Sequence, residues 1–227
     1  TKYLRLRFLL QGKKVAHIDK GRKGKKALTR SNNKIKVQQL SSFQRYANVL
    51  NRLGFPVRTD FKTIYPSGKG DLSAFSSITG TKGTDKWVGI APFATHPGKI
   101  YPEKQMEQVI QCLDAQPNIR IFLFGGGKKE VEILSAWANK YPSATCIAGK
   151  LKMDAELALM SHLDAMVSMD SGNMHLASLV NTPVISIWGA THPLAGFMGW
   201  QQSEQNAVQI DMPCRPCSVY GNKPCAE

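Results

Sequence analysis

Residues 169–175, Met-Asp-Ser-Gly-Asn-Met-His, set a carboxylate, a hydroxyl, a glycine and an imidazole between two apolar segments. A structural turn needs only the glycine and a cap. If a strand ends here and a helix begins, the backbone N–H groups of Ser171, Gly172, Asn173 and Met174 face outward. Those donors and the helix dipole suit a pyrophosphate. The carboxylate of Asp170 would repel phosphate, so it is assigned to hydroxyls such as those of a sugar. His175, on the first or second helical turn, can donate a hydrogen bond to the same phosphate.

Three further loops carry chemistry. "APFATHPGKIYP" (91–102) supplies Thr95, His96 and Lys99. A lysine ammonium at a strand end serves as a point charge against an anion. "FGGGKKE" (124–130) places Gly125, Gly126 and Gly127 together, which permits positive φ and close approach of backbone to a ligand. Its spacing is neither that of a P-loop nor that of a dinucleotide fingerprint. "WGATHPLAGFMGW" (188–200) carries Thr191, His192 and Pro193 on a glycine-rich loop that could close over the same crevice.

Each of these loops follows an apolar run. The runs are "WVGIAPF" (87–93), "IRIFLFG" (119–125), "ATCIAG" (144–149), "DAMVSM" (164–169), "PVISIWG" (183–189) and "AVQI" (207–210). Continuous apolar runs, not alternation, mark strands covered on both faces. Segments of helical length and pattern lie between them, over 102–116, 128–141, 153–163 and 173–181. In the first of these, residues 106, 109, 110 and 113 form one apolar face. The alternation predicts a doubly wound, Rossmann-like α/β domain with a parallel sheet, over 86–227, whose ligand sits at the carboxyl ends of the strands. Residues 1–60 hold too few elements for a domain of their own and read as the tail of one. Within them, 13–19 could form a strand, and 42–55 reads as an amphipathic helix closed by Gly54 and Pro56. Residues 61–85, rich in Gly, Ser, Thr and Lys, read as a linker or loop.

The chain has 227 residues and a net charge of +14. Thirteen Lys and Arg fall within residues 1–36, against one acid, Asp19. Such a field attracts phosphates, whether of nucleic acid, lipid head groups or a phosphorylated substrate, or it forms a solvated basic face. Tyr3 and Phe8 are the aromatics in that stretch, too few for a base-stacking platform. No run approaches the roughly 18–20 apolar residues that span a bilayer, and "LRLRFLL" (4–10) lacks the features of a signal peptide. A soluble, cytoplasmic protein is expected. Of the five cysteines, Cys112 and Cys146 lie in apolar segments and are expected to be buried thiols. Cys214, Cys217 and Cys225 offer three ligands where a structural zinc site needs four, so packed or crosslinked thiols are expected there rather than metal.

The strings "KIYP" (99–102), "FGG" (124–126), "AGK" (148–150), "MDSGNMHLASLVNTPVISIWGATHP" (169–193) and "CRPCSVYGNKPC" (214–225) resemble glycosyltransferase family 9, the ADP-heptose:lipopolysaccharide heptosyltransferases and their relatives. "KGRKGKKALTR" (20–30) and "RYANVLNRLGF" (45–55) resemble the end of that family's first domain. The resemblance implies a GT-B fold of two Rossmann-like domains, the C-terminal one binding a nucleotide-sugar donor. It implies inverting transfer with no metal or other cofactor, the donor being a co-substrate. Lys99 matches the lysine on the donor phosphates, and Thr95 a neighbouring contact. Asp170 matches the aspartate on the sugar hydroxyls, and Ser171, Gly172 and His175 match the pyrophosphate turn. Leu151 falls where the family lines the base pocket, and Glu130 is a candidate for the ribose.

One departure stands out. The family's opening strand and Gly-rich loop, with the aspartate proposed as general base, have no counterpart here, so the chain looks like an internal fragment lacking that base. The implied partners are a nucleotide sugar and a phosphorylated, lipid-linked glycan acceptor, with peripheral contact at the inner membrane surface and no nucleic acid. Two other readings are a basic nucleic-acid-binding module on an α/β scaffold and a nucleotide-sugar epimerase of related architecture.

Overall fold

A computed structural model describes residues 2–223. The chain divides into two compact units: residues through Phe61 together with Leu194–Phe197, and Lys62–Pro193 together with Met198 onward.

The first unit contains α1 (Lys2–Leu10), α2 (Arg22–Thr29) and α3 (Ser42–Leu53). Sequence chemistry sets both ends of α3. The Ser41 hydroxyl accepts from the Gln44 amide while the Gln44 side chain accepts from the Ser41 amide, a reciprocal capping box. Gly54 closes the helix in the left-handed conformation, φ 94°, and its N–H reaches the carbonyls of Leu50 and Asn51. Residues 13–19, a strand by expectation, form none. Among the described residues this unit has no other strand to pair with them. Arginine side chains of α3 supply donors instead: Arg52 Nη2 bonds the His17 carbonyl at 2.6 Å and Arg45 Nη1 the Asp19 carbonyl at 2.9 Å. Residues 194–197 join the unit through Gln39 N–H to Leu194 O at 2.9 Å and Ser42 N–H to Gly196 O at 3.2 Å.

The second unit runs α4 (Ser76–Thr79), β1 (Lys86–Ala91), α5 (Glu103–Asp114), β2 (Ile119–Leu123), α6 (Lys128–Lys140), β3 (Ala144–Cys146), α7 (Met153–Met160), β4 (Ala165–Met169), α8 (Gly172–Leu179), β5 (Val184–Ile187) and β6 (Ala207–Val208). All strand pairs are parallel, in the order β3-β2-β1-β4-β5-β6. This is the doubly wound arrangement that the alternating pattern predicts. From β1 the chain first builds outward through β2 and β3. It then returns to β1's other side with β4 and builds the opposite way. The reversal point lies between β1 and β4, where Ala91 pairs with Ser168. Loops leaving neighbouring strands in opposite directions open a crevice there.

The core explains why the strands read as apolar runs. Ile90, Ile121, Leu123 and Met169 are fully buried, packed with Met106 and Ile110 of α5 and Leu134 of α6. Cys146 belongs to this core, but Cys112 is exposed, contrary to expectation. It lies two residues past Ile110, about 200° around the helix, and so on the wet side of α5. The stretch 62–85 is irregular apart from short helical turns, yet it is tied down. Gly70 N–H bonds Ser161 Oγ at 2.9 Å, and Lys82 pairs with Asp164 at 2.8 Å. Among the described residues no helix is long and apolar enough to cross a membrane.

Candidate functional site

Two loops at the reversal point carry the charged groups. After β1, a 3₁₀ turn at Pro97–Lys99 sends the Lys99 side chain back to the strand ends. After β4 comes Asp170, 3% exposed, whose amide bonds Ile187 O at 3.3 Å. Lys99 Nζ lies 2.9 Å from Asp170 Oδ2, with side chains 15% and 4% exposed. The ammonium stands beside that oxygen without aligning with it: Oδ2 is buried and makes no hydrogen bond. The contact is ionic, between two largely buried charges.

The floor under Lys99 is bare backbone. A Cβ on Gly189 would come within 2.5 Å of Gly98 O, one on Gly98 within 2.7 Å of Gly221 O, and one on Gly221 within 2.8 Å of Lys99 Cγ. Three glycines from separate loops thus let main chain pack on main chain beneath the lysine stem. Ala190 N–H bonds Gly98 O at 2.7 Å, tying the loop after β5 to the loop after β1.

Beside the ion pair, α8 presents its N-terminus. Ser171 is extended, φ −145°, and its hydroxyl makes no cap; it lies 3.2 Å from Ser168 Oγ. No side chain caps this end, and among the described residues no carbonyl accepts from the amides of 171–174. A Cβ on Gly172 would meet only open space. The start of α8 thus brings together four amides without acceptors, a helix dipole and a nearby ammonium, an arrangement that suits an anion. Met174 contributes through its amide alone, since its side chain is fully buried. His175 is half-buried on the same helix. Burial pushes its pKa below the usual value; the Asp170 carboxylate opposes that shift and Lys99 reinforces it. The lowered pKa favours the neutral imidazole.

The remaining candidates divide. Thr95 is exposed on the loop before Lys99. Glu130 is committed on one oxygen, with Oε2 accepting from Gly126 N–H at 2.8 Å. It braces the glycine turn. Of the three glycines, only Gly127 takes a positive φ, 80°. Gly125 is small for a different reason: its Cβ would meet Leu134 at 2.8 Å and Glu130 at 3.0 Å. Leu151 is half-buried in the turn before α7. Thr191 is fully buried and its hydroxyl makes no hydrogen bond. Among the described residues no group of three or more His, Cys, Asp or Glu is arranged to hold a metal. Cys225 lies outside the described residues.

Sequence reasoning overlooked Arg215, a basic residue in a loop, the kind that reads as solvated. It is 5% exposed. Its Nε bonds Gly189 O at 2.6 Å, and Nη2 bonds Trp188 O at 3.0 Å and Thr191 O at 2.8 Å. Nη1 bonds Ile210 O. One guanidinium thus gathers the carbonyls of the loop after β5, the loop that rests on Gly98. The only signal in the sequence is its place between two cysteines and before a proline.

The model of glycosyltransferase family 9 (heptosyltransferase) matches residues 6–225. The lipooligosaccharide heptosyltransferase 2 of Haemophilus influenzae is 30% identical over 144 residues, covering 61% of this chain and 41% of that protein. The structure of E. coli ADP-heptose lps heptosyltransferase II superposes with a TM-score of 0.60 at 18% identity, covering 78% of this chain and 56% of that one. E. coli heptosyltransferase WaaC with ADP gives 0.54 at 21% identity, covering 78% and 52%. The chain therefore spans about two fifths of the curated relative and about half of the solved chains. The sheet order and these superpositions identify the fold as α/β of the GT-B type.

Two outcomes test the site's construction. The folded state holds the His175 pKa below its unfolded value, so on acidification the unfolded chain takes up that proton first. Stability should therefore drop as pH falls below about 6.5 and continue to drop until pH passes the folded pKa. Urea midpoints at pH 7.5 and 5.0 should differ more for the natural chain than for His175→Gln; equal slopes would show that the imidazole is not shielded. Arg215→Met leaves buried carbonyls without donors, each costing about 1–3 kcal/mol. Arg215→Lys should recover little of that loss, because an ammonium lacks the rigid fork. Full recovery in urea denaturation would contradict the clamp.

Proposed function

Because the chain belongs to glycosyltransferase family 9, we propose that its second unit binds a nucleotide-sugar donor and that the protein moves that sugar, a heptose from an ADP-linked donor, to a lipopolysaccharide acceptor. The observation that carries this reading is the Lys99–Asp170 pair beside the uncapped N-terminus of α8. It offers a cation and amides for a diphosphate next to a carboxylate for hydroxyls. A nucleotide diphosphate sugar presents those two chemistries side by side.

In the proposed reaction an acceptor hydroxyl attacks the anomeric carbon from the face opposite the nucleotide, inverting it. The bond to the diphosphate oxygen breaks as the new glycosidic bond forms. Lys99, the α8 amides and the His175 N–H take up the charge developing on the leaving diphosphate. Donors already aimed at such charge are commonly the largest catalytic contribution. Asp170 holds the sugar by its hydroxyls. Glu130 and Leu151 are assigned to the ribose and base, and Thr95 to the phosphates. The acceptor's proton goes to a general base that no residue of this chain is assigned to supply.

The nucleic-acid-binding and epimerase readings are not favoured, since the family match spans the basic segment as well as the sheet domain. The thirteen cations of residues 1–36 suit a phosphorylated, lipid-linked acceptor and peripheral residence at the inner face of the cytoplasmic membrane. Reversing the charges of Arg22, Lys23, Lys25 and Lys26 should reduce association with anionic vesicles; undiminished association would remove this part of the reading.

Calorimetry tests the donor site. ADP should bind the chain, and Lys99→Ala should weaken it. Asp170→Asn should weaken ADP-heptose but spare ADP, since the carboxylate is assigned to the sugar. In steady-state turnover of a version that carries the general base, Lys99→Ala should lower kcat by about 10²–10³ with a smaller change in donor KM. Failure of ADP to bind, or loss of ADP and ADP-heptose binding alike in Asp170→Asn, would reject the assignment.

A further inference from the structure

A cavity of ≈ 420 Å³ in the first unit is walled by Asp19, Leu40, Arg45, Asn48, Asn51 and Arg52. Four of these residues lie on α3 at spacings that share one helical face. Arg45 is 7% exposed. Two of its nitrogens are committed, Nε to Leu40 O at 3.0 Å and Nη1 to Asp19 O at 2.9 Å. Its Nη2 takes no acceptor among the described residues. Arg52 repeats the pattern, with Nε on Asn48 O at 3.2 Å, Nη2 on His17 O at 2.6 Å, and Nη1 uncommitted. Asn51 uses its oxygen for the Val57 amide at 3.4 Å, which leaves its NH₂ group unspent. The Asn48 side chain makes no hydrogen bond among the described residues.

The walls are therefore rich in donors and poor in acceptors. The one carboxylate, Asp19, is 85% exposed and 3.9 Å from Arg45. One of its oxygens already accepts from Gly21 N–H at 2.8 Å. Gly21, at φ 62°, lies so close to the Arg45 guanidinium that a Cβ would come within 2.3 Å of Nη2. Main chain thus fixes the guanidinium from behind. Burial, and then the charge of Arg45, push the Lys25 pKa down, as expected where positive charge is left uncompensated. Two guanidiniums held by carbonyls, each with a nitrogen to spare, can each donate to a phosphoryl oxygen.

We propose that this cavity is a binding site for a phosphate group, held by Arg45 and Arg52 with the side-chain amides of Asn48 and Asn51. The site goes beyond the donor reading and uses none of its residues. Its ligand is either free phosphate or the phosphomonoester of a sugar.

The test is NMR of the ¹⁵N-labelled chain, following the arginine Nε–H and asparagine NH₂ signals during titration with inorganic phosphate, with chloride at matched ionic strength as the control. Saturable shifts at Arg45, Arg52 and Asn48 are expected. The double variant Arg52→Ala/Asn48→Ala, whose changes are both on exposed side chains, should weaken that response at least tenfold. It should leave any phosphate response of the 171–175 amides unchanged. Glucose 1-phosphate serves as the second arm: tighter binding than phosphate assigns the site to a phosphorylated sugar, and equal binding assigns it to the free ion. Shifts that chloride reproduces, or that are confined to residues 171–175, would overturn the proposal, whatever becomes of the donor site.

Discussion

The site depends on one ion pair set where two loops part. Lys99 and Asp170 come from opposite sides of the chain reversal, and their 2.9 Å contact draws the ends of β1 and β4 into one chemical unit. Burying both charges is costly, and a buried pair is seldom a strong source of stability. Its value is polarity held ready. The ammonium offsets the carboxylate, and the carboxylate keeps the ammonium from straying. In the proposed donor complex a diphosphate at α8 would compete for the lysine, and a sugar hydroxyl would take its place on the aspartate.

The pair is held by architecture that does no chemistry itself. The sheet order places the two strand ends side by side. Gly98, Gly189 and Gly221 let three loops meet as bare backbone under the lysine stem. Arg215 then gathers the carbonyls of residues 188, 189 and 191, so the loop after β5 is fixed by a buried cation. Ser171 leaves the first turn of α8 uncapped, a local loss of helix stability that keeps the amides available.

Much of this was legible in the sequence. Runs of apolar residues covered on both faces located β1 to β5 to within a few residues, and the apolar face of 106, 109, 110 and 113 located α5. The grouping of Asp170, Ser171, Gly172 and His175 was legible because it is local, one strand end and one helix start. Three other things were not. The 13–19 segment looks like a strand but is satisfied by arginine side chains arriving from α3, a tertiary event that no local pattern reports. Cys112 was misplaced because apolar surroundings in sequence are not apolar surroundings on a helix. Arg215 was hidden because a buried arginine is recognised by its acceptors, and here they are carbonyls some 25 residues earlier. The meeting of Lys99 with Asp170 was foreseeable only through the strand order, which the alternation of elements implies but does not fix.

The glycine floor also limits how such a crevice can diversify. Contacts between side chains can be exchanged gradually, one volume for another. Main chain stacked on main chain has no such slack, because a single carbon added at position 98 or 189 already runs into a backbone carbonyl oxygen. At those two positions any side chain forces the loops apart.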